Sequence, residues 1–180
     1  MASRLILVSG PTCSGKSRWA EHLATLSGRT VVYLATGPLL ADDADWQRRL
    51  ERHRRRRPEH WCCREVGDAL APALAALAPG DLALVDSLGT WVAAGLDHSS
   101  VAWQSRCNEL LNTMEATLAE LVVVSEEVGW GVVPATLQGH RFRERLGSLQ
   151  SSLAQRSDQC WLVMQQQAIN LSQLGQPVPS

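Results

Sequence analysis

Lysine is almost missing from this chain: of 17 lysines and arginines, only Lys16 is a lysine. Paired cysteines are missing too. Cys13, Cys62, Cys63, Cys107 and Cys160 are odd in number and contain no CxxC spacing. That pattern argues against a disulfide framework or a structural zinc site and favours a reducing compartment. Long apolar runs are also absent. The opening MASRLILVSG has four apolar residues, Leu5 to Val8, before Ser9, which is short for a secretory signal, and no later run reaches a membrane-spanning length. The expectation is a cytoplasmic protein with no membrane span. The net charge of −1 excludes a strong overall field for polyanions.

What the chain does have is alternation of element types. At 180 residues and 45% hydrophobic content it can bury the core of one domain. LILVSG (5–10), TVVYLAT (30–36), DLALVDS (81–87) and QCWLVMQ (159–165) read as strands, and ELVVVSEEVGWGVVP (120–134) as a strand running into a glycine-bearing loop. Between them, helical spacing is expected over 16–27, 42–57, 68–78, 101–120 and 138–156. Asp42 or Asp43 is the expected N-cap of the second helix, with Trp46, Leu50 and His53 on one face. Leu110, Leu111, Met114 and Leu118 are expected to point inward from the fourth. The expected fold class is α/β, a mostly parallel sheet with helices on both faces, in one domain over 1–180 whose residues 172–180 form a flexible tail.

Gly10-Pro11-Thr12-Cys13-Ser14-Gly15-Lys16-Ser17 fits GxxxxGK[ST] and lies between an expected strand and an expected helix. Backbone N–H groups of such a loop point at phosphate oxygens, the lysine reaches the β- and γ-phosphates, and the serine hydroxyl can coordinate Mg²⁺. Asp86 closes a strand beside this loop, where a carboxylate can meet the same ion. Glu126 and Glu127 follow another strand and are either site groups or a solvated loop. These features predict a nucleoside triphosphate site with Mg²⁺.

The basic charge is concentrated in RLERHRRRRPEHW (49–61), where His53 sits among Arg49, Arg52, Arg54, Arg55, Arg56 and Arg57. Three readings compete: a solvated helix face, a nucleic-acid patch, and a reaction centre. A nucleic-acid role is disfavoured because the block is one short helix with no interleaved aromatic platform. A reaction centre has a chemical logic. Neutral imidazole is a good nucleophile toward phosphorus, and fixed positive charge around it disfavours imidazolium. The same arginines can neutralise a departing pyrophosphate.

The order GPTCSGKS, VVYLATG, HRRRRPEHW, LALVDSLGTW, EEVGWGVVP, RFRERLGSL resembles the adenosylcobinamide kinase / adenosylcobinamide-phosphate guanylyltransferase family, in particular its cyanobacterial members. The phosphate loop is generic. The YxAT strand with H-R-x-x-R-P-x-x-W and EVGxGxVP is more specific. The resemblance implies a RecA-like P-loop domain, often a homotrimer. It implies phosphorylation of adenosylcobinamide from ATP or GTP. It then implies transfer of GMP to adenosylcobinamide phosphate through a guanylylated His53. It places Lys16 with His53 in catalysis. Residues 10–17, Ala35, Thr36, Gly37, Arg54, Arg55, Arg56, Arg57, Glu65 and Asp86 would line the nucleotide site, with Ser17 and Asp86 on the metal. Trp91 and Trp130 could face the flat corrin ring or fill the core. The chain departs from the family pattern at Ser87, Gly89, Thr90, Ala94, Glu126, Gln150-Ser151 and Gln165-Gln166-Gln167. The alternative is a P-loop small-molecule kinase without nucleotidyl transfer.

Overall fold

The computed structural model describes residues 4–38 and 42–178; the side chains of Trp46 and Arg49 also lie outside the described residues. The expected place of Trp46 on the His53 face therefore falls outside them. Among the described residues, seven strands form one sheet: β1 (Leu5–Gly10), β2 (Thr30–Ala35), β3 (Cys62–Glu65), β4 (Asp81–Asp86), β5 (Glu120–Glu126), β6 (Gln159–Met164) and β7 (Gln167–Asn170). Their order is β3-β2-β4-β5-β1-β6-β7. All pairings are parallel except β6 with β7, an antiparallel hairpin. The helices are α1 (Lys16–Leu26), α2 (Ala44–Arg56), α3 (Leu70–Ala75), α4 (Leu88–Ala94), α5 (Ser100–Ala116), α6 (Leu137–Ala154) and α7 (Leu171–Leu174).

The central strands are apolar at nearly every position because both of their faces are covered. Successive side chains alternate between two cores. Leu5, Leu7, Val32, Leu34, Ala83, Val85, Leu121 and Val123 pack against α3, α4, α5 and α6 through Leu74, Trp91, Leu110 and Leu146. Ile6, Val8, Val31, Tyr33, Leu82, Leu84, Val122 and Val124 pack on the other face against Ala20 and Ala24 of α1. Small alanines there let α1 lie close to the sheet, so its N-terminus sits over the carboxyl end of β1.

Several elements differ from the expectation. The helix expected to reach residue 120 ends at Ala116, where Thr117 turns to an extended backbone (φ −67°, ψ 143°). That breaks the helical phase, so Leu118 is 60% exposed rather than inward. The helix expected over 68–78 shrinks to Leu70–Ala75. The elements β3, α4, β7 and α7 lie outside the sequence expectation. Strand β3 is an edge whose four residues are all exposed, so it lacks the apolar alternation that marks a half-buried strand. The Asp43 carbonyl accepts from Gln47 N at 2.9 Å, which puts Asp43 at the N-cap of α2. The tail begins with α7, where Ser172 Oγ accepts from Cys160 N at 2.8 Å.

Three of the departures from the family pattern meet at one point. Glu126, at the end of β5, accepts from Ser87 Oγ at 2.6 Å and from Gly89 N at 2.9 Å. Its carboxylate thus sits on the first turn of α4, where free N–H groups and the helix dipole favour an anion. A Cβ on Gly89 would lie 2.2 Å from Glu126 Oε2, so the glycine makes room for the longer acid. Gly89→Ala is expected to displace that carboxylate and cost about 1 to 2 kcal/mol. Adding Glu126→Asn, which shortens the side chain, should recover part of the loss. Chemical denaturation of the single and double variants measures both.

Candidate active site

The phosphate-type loop follows β1 and opens α1. Cys13 and Gly15 have positive φ (61° and 100°), and left-handed residues within such a loop curl successive peptide N–H groups to one side. Lys16 is buried and its Nζ donates to Pro11 O at 3.3 Å. Thr12, Cys13, Ser14, Gly15, Lys16, Ser17, Arg18, Arg52, His53 and Arg56 line one cleft of about 400 Å³. Helix α2 therefore brings His53 over the loop that the sequence marks for phosphate.

His53 is held from the sheet side. Its Nδ1 lies 3.5 Å from Asp86 Oδ2 and 3.4 Å from Arg56 Nη2. Tyr33, buried on β2, donates from its hydroxyl to the same Asp86 oxygen at 2.7 Å. Strands β2 and β4 pair in parallel with Ala35 opposite Asp86, which places Tyr33 one pleat below the strand ends with its ring on the α2 side. Burial alone would push the Asp86 carboxyl up. Hydrogen bonds from His53 and Tyr33, the His53 charge and Ser17 outweigh it and hold the pKa below the ordinary aspartate value. The Tyr33 phenol is pushed well above its ordinary value by burial first and the Asp86 charge second, with Arg57 opposing. Tyr33 thus remains a donor.

The four arginines after His53 separate. Arg56 lines the cleft and pairs with Glu21 of α1 at 3.0 Å. Arg57 lies over the Tyr33 ring, 3.4 Å from its centroid. Arg54 pairs with Glu65 at 3.2 Å, away from the loop on the β3 edge. Arg55 pairs with Glu51 at 2.9 Å along the outer surface of α2. Arg18 and Arg52, which the motif reading did not single out, join the cleft instead. The helical period could have found Arg52 and Arg56, which lie four apart on α2 and flank His53.

Of the remaining expected residues, Gly10 ends β1 and its carbonyl accepts from Glu127 N at 3.1 Å. A Cβ on Gly10 would lie 2.2 Å from Val163 O, so only glycine lets the loop leave the sheet there. Ala35 and Gly37 line a small cavity beside His53 and Asp86. Thr36 is buried. Its hydroxyl donates to Ser87 O at 2.6 Å and accepts from Ser87 N at 2.9 Å, so it stitches β2 to the turn after β4. Trp91 is 1% exposed in the core, whereas Trp130 is 62% exposed on the loop after β5. Glu126 is taken up by α4. Glu127 accepts from Gln150 Nε2 at 2.6 Å. Among the described residues, no helix is long and apolar enough to cross a membrane.

The family description "Cobinamide kinase / cobinamide phosphate guanyltransferase" matches residues 6–171. The chain belongs to this family. It is 33% identical over 175 residues to the bifunctional adenosylcobalamin biosynthesis protein CobU of Escherichia coli, covering 89% of this chain and 95% of that protein. It is 36% identical over 154 residues to the bifunctional adenosylcobalamin biosynthesis protein CobP of Pseudomonas aeruginosa, covering 84% and 88%. Among solved structures, a prototypical ATPase from a bacterial type III secretion system superposes with a TM-score of 0.57 at 12% identity, over 88% of this chain and 50% of that one. The fold is that of the RecA-like P-loop proteins.

Ionisation of Tyr33 sets a test of the Tyr33–Asp86 contact. Above a pH of about 10 the unfolded chain releases the phenolic proton while the native state keeps it. Native stability therefore falls as pH rises toward the raised folded value. Tyr33→Phe should be less stable than the parent at neutral pH by about 1 to 3 kcal/mol, the cost of a hydrogen bond to a charged group. It lacks the alkaline loss, so the gap should narrow above a pH of about 10. Urea unfolding at neutral and alkaline pH measures both effects.

Proposed function

We propose that this chain performs both reactions of its family, adenosylcobinamide kinase and adenosylcobinamide-phosphate guanylyltransferase, in the cleft shared by residues 12–18 and α2. The observation that carries this reading is that His53 and the phosphate loop line the same cleft. A generic small-molecule kinase needs the loop but has no use for a histidine placed there.

GTP or ATP phosphates lie on the N–H groups of the loop, with Lys16 at the β- and γ-phosphates. Mg²⁺ fits Ser17 and Asp86, a hydroxyl and a carboxylate whose hard oxygens are close enough for the serine to help hold the acid ionised. When bound, the ion supplies charge neutralisation on the phosphate oxygens. In guanylyl transfer, Arg56, which can only donate and lies 3.4 Å from His53 Nδ1, turns from the ring to the pyrophosphate; Nδ1 then carries the imidazole proton toward Asp86 and leaves the Nε2 lone pair free. Nε2 forms a bond to the α-phosphorus of GTP as the bond to the β-phosphate oxygen breaks. Pyrophosphate leaves toward Arg52 and Arg56, which line the same cleft. A phosphate oxygen of adenosylcobinamide phosphate then attacks the same phosphorus, the P–N bond breaks, and His53 returns to its starting form. That phosphate comes from the kinase step, in which the corrinoid hydroxyl takes the γ-phosphoryl group. Exposed Trp130 offers the aromatic face for the corrin ring; buried Trp91 does not.

The deciding experiment mixes the protein with Mg²⁺ and GTP labelled in its α-phosphate. Label should remain on the chain after quenching, be lost in acid, survive alkali, and be absent in His53→Ala. Tight GTP binding with no retained label would overturn the guanylyltransferase reading and leave a simple P-loop kinase.

A further inference from the structure

The antiparallel hairpin β6–β7 turns through Gln165 and Gln166, both with positive φ (50° and 63°). A two-residue turn with both central residues left-handed is the type that matches strand twist, and glycine, asparagine or aspartate meets it most easily. The chain instead places glutamines there. The second glutamine has a visible use. Gln166 Nε2 lies 3.4 Å from Cys13 O and 3.3 Å from Ser14 O. Arg18 donates to Gln166 Oε1. Arginine can only donate, so it fixes the amide with its NH₂ group toward the two carbonyls.

A trans peptide points its C=O and N–H in opposite directions. Holding the Cys13 and Ser14 carbonyls on the hairpin side therefore turns the N–H groups of Ser14 and Gly15 to the inner side of the loop. The Ser14 N–H is found there but is spent on Pro11 O at 3.2 Å, so the Gly15 N–H is the donor that this arrangement leaves for an anion, and Gly15 lines the phosphate cleft. The left-handed turn at Cys13, unfavourable for a side-chain-bearing residue, is fixed by the same contact.

We infer that Gln166 is a positioning residue for the phosphate loop: it pins two peptide planes from outside, holding the Ser14 N–H on Pro11 O and the Gly15 N–H toward the anion before nucleotide arrives. The inference rests on the nucleotide reading of residues 10–17. It adds a residue beyond the loop motif, from a distant part of the chain. Because Gln166 acts on the loop rather than on the nucleoside, its loss should weaken a bare polyphosphate as much as a nucleotide.

The test uses the full chain, with tripolyphosphate and GTP as probes, each titrated by calorimetry in the presence of Mg²⁺. Gln166→Met keeps the length and removes the donor. Gln166→Glu keeps a partner for Arg18 but cannot donate to carbonyls. Both should raise Kd for both probes by about tenfold, the weight of one to two modest hydrogen bonds, with the thermal unfolding midpoint unchanged. Gln165→Gly, in the same turn, should leave both Kd values at the parent level. Unchanged binding in Gln166→Met overturns the positioning role alone. Weakening of GTP but not of tripolyphosphate overturns it in favour of a nucleoside contact. Weakening that tracks a fallen melting temperature in both variants overturns it in favour of a general structural role. If the parent binds neither probe, the phosphate-loop reading itself fails and the positioning role with it.

Discussion

A carboxylate that is only 10% exposed at the end of a central strand must be paired. Removing the partner of a buried charge costs about 3 to 5 kcal/mol. Asp86 is that carboxylate, and the site is arranged around its needs. Tyr33 reaches it along the neighbouring strand, His53 reaches it from α2, and Ser17 helps from the start of α1. Three elements that are distant in sequence are tied to one group. The consequence is functional: α2 is a strongly basic helix with little apolar surface to hold it, yet its histidine is delivered to the phosphate loop.

The arginine block serves unequal purposes. Exposed ion pairs such as Arg55–Glu51 contribute little stability, about 0.3 to 0.5 kcal/mol for pairs of that spacing. Arg57 over the Tyr33 ring and Arg56 on Glu21 tie α2 to the sheet and to α1. Arg56 also lines the cleft over the loop, together with Arg52 and with Arg18 from α1. A dense cationic run thus divides into anchors and ligand-facing groups by helical phase.

The turn after β4 shows the same economy. Ser87, Gly89 and Glu126 look like separate departures in sequence, but they form one packed unit in which the acid caps α4 and the glycine admits it. Glu126 is thereby removed from the candidate acid–base groups. Thr36 is likewise occupied with Ser87 and sits behind the cleft rather than in it. The cleft keeps its loop and its histidine, with Asp86 behind them, above this packed unit.

The sequence by itself determined the parallel α/β sheet, because near-continuous apolar strands such as LILVSG and DLALVD can be buried only from both faces. It also marked the phosphate loop, because a fixed glycine and lysine spacing between strand and helix is a local pattern, and it singled out His53 by its neighbours. What it could not contain was the outcome of competition between elements. The exposed strand β3 carries no apolar alternation, and Leu118 lost its helical phase at a single extended residue. Whether Trp91 faces a ligand or the core depended on α5 and α6, which close over it. Which arginines line the cleft depended on helical phase and on the partners that Glu51, Glu65 and Tyr33 offered to the others. Gln166 reaches the loop across 152 residues of chain, a contact that depends on the order of strands in the sheet and on no feature of either segment alone.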